Sequence, residues 1–214
     1  LYGYEVSGSG ETTTLSGNFF SYLNTGNTST IVAWLSGDVN GDEYDDVVQV
    51  RTTSGYSYAQ VYLGNGEGEL NTQTRWKKTL GTATSAFLGD IDGDATDDLI
   101  LVFANTDSTL TWKYFLSSGS GFGNATTWSS SFGTTSSIVL VGDFNGNGQA
   151  EAMTSSGATT LSWQRLNSSN TITNISTTFG LSSDELIAAD SDNDGSDEIV
   201  RIDERDPSVE CEAT

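Results

Sequence analysis

The chain has 214 residues, with 29 acidic side chains against 8 basic ones, no His, one Cys, one Pro and 24 Gly. That length suits one domain burying roughly 70% of its extended surface, and a net charge of −21 repels phosphate backbones and anionic lipid, which excludes nucleic acid and membrane insertion and favours metal cations. Without His, and with a lone thiol at Cys211, the usual general base and the Ser/His and Cys/His pairings are missing, so the expected function is non-catalytic.

No run of apolar residues approaches the 18 or so needed to span a bilayer. The start at Leu1, with no charged and apolar leader, reads as a processed or excised chain.

Residues 1–20 open with LYGYEVSGSG, an apolar and aromatic run ending in a Gly/Ser turn, followed by Phe19. Next come IVAWLSG, the acidic segment DVNGDEYDD from Asp38, and VVQVR; Val61, Tyr62 and Leu63 then lead through GNGEG to Trp76. The same order returns as SAFLG, DIDGDATDD from Asp90, LILVF, Phe115 and Leu116, SSGSG and Trp128. It returns again as IVLVG, DFNGNGQAE from Asp143, AMTS, Arg165 and Leu166, NSSN and Phe179. The last copy holds only LIAA, DSDNDGSDE from Asp190 and IVRI before an acidic tail.

The acidic segments start 52, 53 and 47 residues apart, a period that marks a repeat architecture. Short runs rich in Val, Ile and aromatics, bounded by Gly, Ser and Asn, predict strands, four to a repeat, with the acidic segment joining the first to the second. One stretch pulls the other way: SSDELIAAD carries a Ser-x-x-Glu pattern at Ser182 and Glu185 that suits a helix start. The repeat order makes Leu186 to Ala189 a strand nonetheless. From the last apolar residue of the third strand to the aromatic of the fourth is 13, 12 and 13 residues, and Val6 to Phe19 is again 13. The chain therefore begins at the third strand of a repeat and ends after the second strand of another.

Within each acidic segment, oxygen-bearing side chains occupy positions 1, 3, 5 and 9, and position 7 offers a backbone carbonyl. Six to eight oxygens in a tight loop are what Ca2+ requires. The expected ligands are Asp38, Asn40, Asp42, Tyr44 (carbonyl) and Asp46; Asp90, Asp92, Asp94, Thr96 (carbonyl) and Asp98; Asp143, Asn145, Asn147, Gln149 (carbonyl) and Glu151; and Asp190, Asp192, Asp194, Ser196 (carbonyl) and Glu198. Position 4 is Gly41, Gly93, Gly146 or Asn193, residue types that tolerate a left-handed backbone. Position 12 is Gln49, Leu101, Thr154 or Arg201, which rejects an EF-hand, whose loop needs Glu there. Four copies holding 17 of the 29 acids argue against chance hairpin tips. The expectation is about four Ca2+ ions, with the loops at Asp90 and Asp190 strongest and the loop from Asp143 weakest.

These loops resemble those of the FG-GAP/VCBS repeat family, the integrin-alpha-type β-propellers, whose blades carry D-x-[DN]-x-D-G-x-x-D between the first two strands; VYLGNGEGEL from Val61 is similar to that family's later turn. Here Glu43 and Ala95 stand where Gly is usual at position 6, Asn147 replaces an acid, and material for four blades is present where seven are usual. The resemblance implies an all-β, propeller-like domain of about four four-stranded blades: a half-blade at 1–20, blades at 31–80, 85–133 and 138–180, and a half-blade at 186–203, the two halves making one composite blade.

The expected role is an extracellular or cell-surface, calcium-stabilised module for adhesion, recognition or assembly, binding a protein or glycan surface partner or itself. Two alternatives stand beside it: a filament subunit whose N-terminal strands complete a neighbour's blade, and a fragment of a larger propeller or a carbohydrate-binding or carbohydrate-active protein. Most of Trp34, Trp76, Trp112, Trp128 and Trp163 are expected between blades, with one or two able to stack on sugar. Sequons at Asn27, Asn124, Asn167 and Asn174 permit glycosylation.

Overall fold

The computed structural model describes residues 5–7, 14–16, 30–53, 55–70, 74–78, 80–156, 160–181 and 185–202. All described regular structure is strand. β1 (Glu5–Ser7) and β2 (Thr14–Ser16) form a hairpin. β3 (Thr30–Gly37), β4 (Asp46–Thr53), β5 (Tyr56–Tyr62) and β6 (Thr74–Lys78) make a four-stranded antiparallel meander. A second comprises β7 (Ser85–Gly89), β8 (Asp98–Ala104), β9 (Leu110–Phe115) and β10 (Thr126–Ser129). The third comprises β11 (Val139–Gly142), β12 (Glu151–Ser156), β13 (Thr160–Leu166) and β14 (Ile172–Leu181). β15 (Glu185–Ala189) and β16 (Glu198–Ile202) close the series as a second hairpin.

The stretch with the helix-start pattern is thus a strand from Glu185 to Ala189, because β15 gains a full antiparallel partner in β16, with Leu186 opposite Arg201 and Ala188 opposite Ile199. Each of the four acidic segments spans the turn from the first to the second strand of its sheet. The first strands follow one another in space, β3 beside β7, β7 beside β11 and β11 beside β15, so the sheets succeed each other face to face in a propeller-like order.

Alternation along each strand sends apolar side chains to both faces, and three cores result, one at each sheet junction. Val48, Val50, Ala59 and Val61 of the first sheet meet Leu99, Leu101 and Phe115 of the second. Ile100, Val102, Trp112 and Trp128 on the other face of the second sheet meet Ala152 and Leu166 of the third. Met153, Leu161 and Trp163 of the third meet Leu186 and Ile199 of the last hairpin.

Trp112, Trp128 and Trp163 are buried, and each indole N–H donates to a carbonyl, of Phe132 (2.7 Å), Asn167 (2.8 Å) and Phe179 (2.9 Å). Burying a large ring while satisfying its one donor is what makes Trp suitable at such junctions. Trp34 and Trp76 are half-buried; Trp34 lies 6.2 Å from Tyr62 and Trp76 packs edge-on to Phe122 at 5.3 Å.

Among the described residues β1–β2 and β15–β16 each form a two-stranded sheet. Cys211 and the sequon at Asn27 lie outside the described residues.

Candidate metal centres

All four acidic loops share one backbone path. Position 4 is left-handed in every loop, with φ of 78° at Gly41, 82° at Gly93, 68° at Gly146 and 62° at Asn193. Position 6 is left-handed too, with φ of 68° at Glu43, 65° at Ala95, 78° at Gly148 and 91° at Gly195. For Glu43 and Ala95 that conformation costs about 1–2 kcal/mol each relative to the right-handed region. Hydrogen bonds offset the cost: Glu43 N donates to Asp38 Oδ2 and Ala95 N to Asp90 Oδ2, both at 2.8 Å.

The two left-handed turns point successive amides inward onto the first carboxylate. Asp38 accepts from Gly41 N at 2.7 Å as well as Glu43 N, Asp90 from Gly93 N at 2.6 Å, Asp143 from Gly148 N at 2.7 Å, and Asp190 from Asp194 N and Gly195 N at 3.1 Å. Position 5 is oriented by the amide of position 7: Tyr44 N to Asp42 at 3.0 Å, Thr96 N to Asp94 and Ser196 N to Asp194 at 2.9 Å, and Gln149 N to Asn147 at 2.8 Å.

The consequence is a convergence of side chains at positions 1, 3 and 5. Carboxylate oxygens of Asp90, Asp92 and Asp94 lie within 4.8 Å of one another, and so do those of Asp190, Asp192 and Asp194. In the first loop Asn40 stands between, its Nδ2 donating to Asp42 at 2.9 Å; in the third, Asn145 and Asn147 leave Asp143 the only acid at these positions. Crowding has an electrostatic signature at Asp92, whose carboxyl is raised above the ordinary range by desolvation and by the charges of Asp94 and Asp90. Hard oxygen donors, exposed to solvent on one side and mutually repelling, fit Ca2+, which would be held at positions 1, 3 and 5 and would neutralise the repulsion.

Position 9 is placed differently from the other side-chain ligands expected. Asp46 and Asp98 are buried, with both oxygens on backbone amides: Asp46 accepts from Val39 N (3.1 Å) and Gly64 N (2.8 Å), Asp98 from Ile91 N (3.0 Å) and Ser117 N (2.7 Å). Each of these two carboxylates ties the start of its loop to the turn after the third strand. Glu151 is buried as well, accepting from Phe144 N at 3.0 Å and from the side-chain amide of Asn145. Glu198, half-buried, accepts from Ser191 N at 3.0 Å and Ser191 Oγ at 2.8 Å. Burial raises the carboxyls of Asp46, Asp98 and Glu151, with Asp98 pushed up to about 7; the neighbouring amides, and Arg165 beside Glu151, oppose it.

Position 8, given no role in the sequence analysis, carries the contacts between loops. The amide of Asp97 donates to the carbonyl of Asp38 at 2.7 Å, that of Ala150 to Asp90 at 2.6 Å, and that of Asp197 to Asp143 at 2.7 Å. Asp197 Oδ2 also accepts from Asp143 N at 2.7 Å, and the Asp97 carboxylate lies against Gly37, just before Asp38. The residue just before each first Asp is Gly37, Gly89 or Gly142, and a Cβ there would strike Asp97, Ala150 or Asp197. The recurrence of Asp at this position in three loops, each preceded by a small residue, is the signal that could have marked it.

Among carboxylates outside the loops, Asp107 is exposed and held below the ordinary range by bonds from the hydroxyl and amide of Thr109. Asn124 and Asn174 are exposed, while Asn167 is half-buried with its Oδ1 on the Thr171 amide at 2.8 Å. No described helix is long and apolar enough to cross a membrane.

No curated protein matches the chain in sequence. Among solved structures, rhamnogalacturonan lyase YesW is similar at 14% identity and a TM-score of 0.44, covering 81% of this chain and 40% of its own. A Bacillus licheniformis rhamnogalacturonan lyase (15%, TM-score 0.43, 82% and 41%) and the exotype lyase YesX (13%, 0.42, 82% and 40%) stand at the same distance. The chain thus spans about two fifths of the length of these structures. Residues 38–101 match the family model described as an FG-GAP-like repeat. That match runs from the first acidic loop to the strand after the second, the segment in which the doubly left-handed turns of Gly41, Glu43, Gly93 and Ala95 are found.

Proposed function

We propose that the chain is a calcium-stabilised, propeller-type module of an extracellular surface, serving recognition, adhesion or assembly and not catalysis. The observation that carries it is the convergence of Asp90, Asp92 and Asp94, and of Asp190, Asp192 and Asp194, at the same three positions of two loops about a hundred residues apart. Asp38 and Asp143 hold the same place in loops of the same backbone path, which supports four sites of graded strength.

Calcium titrated into chelator-treated protein tests this by calorimetry and by melting. At ten times its Kd each site adds about 1.4 kcal/mol of stability, so four filled sites give roughly 6 kcal/mol. An identical melting temperature in chelator and in millimolar Ca2+ would refute the reading.

Assembly through the chain ends is a second reading, favoured by one observation. Among the described residues three sheets have four strands, whereas β1–β2 and β15–β16 have two each, and β16 corresponds to β4, β8 and β12, beside which the other sheets add a third strand. The N-terminal hairpin would complete that blade within one chain or in a neighbour. Mass in solution over a concentration series separates the two: a concentration-independent monomer excludes the filament.

A further inference from the structure

We propose that Asp97 and Asp197 are positioning residues that couple the calcium loops in pairs, the first with the second and the third with the fourth, Asp197 by a two-bond clasp on Asp143 and Asp97 by its amide bond to the Asp38 carbonyl with its carboxylate packed alongside. This rests on the calcium reading above and assigns a role to residues that are not themselves ligands.

The clasp grips the one residue that organises its loop. Asp38 gathers the inward amides of Gly41 and Glu43 on its carboxylate, while its own C=O is held by the Asp97 amide and the Asp97 carboxylate packs against Gly37 just before it. Asp143 is held at both groups by Asp197, with the amide-to-carboxylate and amide-to-carbonyl bonds both at 2.7 Å. On the other side, Asp97 sits between Thr96, whose carbonyl is an expected ligand, and Asp98, which anchors the second loop to the Ser117 amide. Any adjustment of Asp38 toward an ion therefore moves the backbone that presents the donors of the next loop. Ordering one loop removes part of the conformational cost of ordering its neighbour, which is positive coupling.

The chain contains its own control. At the junction of the second and third loops position 8 is Ala150, which keeps the amide bond to Asp90 at 2.6 Å but has no side-chain oxygen to take the Asp90 N–H. That junction is held by one bond with no carboxylate beside it, where the third-to-fourth junction has two bonds and the first-to-second has the Asp97 carboxylate packed alongside. The glycines complete the pattern: Gly37 and Gly142 leave the space that the Asp97 and Asp197 carboxylates fill, and Gly89 faces Ala150 with an ideal Cβ position 2.7 Å from the alanine methyl.

The amide resonances of Gly41, Gly93, Gly146 and Gly195 report the four loops separately, so a calcium titration followed by NMR on the full chain tests the coupling. In the wild type Gly41 and Gly93 should titrate together, as should Gly146 and Gly195. Asp97→Ala should separate the first pair and weaken it about tenfold, whereas Asp97→Asn, which keeps an acceptor and loses the charge, should stay within about threefold. Ala150→Asn, which adds an acceptor at the singly held junction, should bring Gly93 and Gly146 into step and tighten both; it decides the matter if Asp97→Ala fails to fold. Equal losses in Asp97→Ala and Asp97→Asn would reduce the effect to charge and overturn the clasp. Calcium uptake by Asp97→Ala matching the wild type would overturn the coupling alone. A wild-type chain that takes up no calcium would overturn both this and the calcium reading.

Discussion

Asp98 accepts the amide of Ser117 across 2.7 Å, joining the second acidic loop to the turn after its third strand. It does so while fully buried, and burial pushes its carboxyl up to about 7; Asp97 beside it is pushed up to about 6 by burial and by the charges of Asp45, Asp38 and Asp90. Between the unfolded value of 3.8 and these raised values the folded chain binds more protons than the unfolded one. The contribution of both groups to stability is therefore largest at low pH and is lost as pH rises through about 6 to about 7. Metal-free protein should melt higher at pH 5 than at pH 7.5, and saturating Ca2+ should shrink or reverse the difference by favouring the ionised loops. A metal-free melting temperature that climbs over this range would contradict the buried placement of Asp98 beside half-buried Asp97.

Truncation of the same carboxylate tests its anchoring role. Asp98→Ala strands the amides of Ile91 and Ser117 without acceptors in a buried place, at a cost of about 3 kcal/mol. The urea midpoint, with its slope unchanged, measures this. A loss confined to calcium affinity, with metal-free stability intact, would mean that the oxygens serve only as ligands.

Glu43 and Ala95 hold left-handed backbone, at φ of 68° and 65°, where Gly carries no Cβ penalty. Glu43→Gly and Ala95→Gly should each stabilise the protein by about 1 kcal/mol, against the usual effect of introducing Gly. Melting curves in excess Ca2+ show the sign directly, and destabilisation by both would remove the left-handed assignment at position 6.

Gly37 and Gly142 have the opposite sensitivity. Their backbone is not left-handed, but a Cβ at either would run into the Asp97 or Asp197 carboxylate. Gly37→Ala and Gly142→Ala should each cost about 1–3 kcal/mol. Adding Asp97→Gly to Gly37→Ala should recover part of that loss, which a chemical-denaturation cycle on the four variants would show; full additivity of the two single changes would deny the contact.

The strand order, the loop positions and the oxygen pattern were legible in the sequence because each is encoded within a few residues. Gly41 and Gly93 mark one left-handed turn, the acids at positions 1, 3 and 5 lie two apart, and short apolar runs between turn residues specify strands. Even the conflict at Glu185–Ala189 was settled by repeat order, and the antiparallel pairing with β16 agrees. Position 6 was less legible: Glu43 and Ala95 carry no glycine to announce the second left-handed turn, which inward hydrogen bonds to Asp38 and Asp90 stabilise instead.

What only the tertiary structure decided is where each acid spends its oxygens. Asp98 and Asp97 are adjacent and chemically identical, yet one is bonded to a turn 19 residues onward and the other packs against Gly37 of a preceding loop, while Asp197 reaches back 54 residues to Asp143. Side-chain type and local spacing set what a carboxylate is able to bind. The stacking of one sheet against the next sets which amide arrives within 3 Å of it, and that distance depends on packed apolar faces far from the loop in sequence.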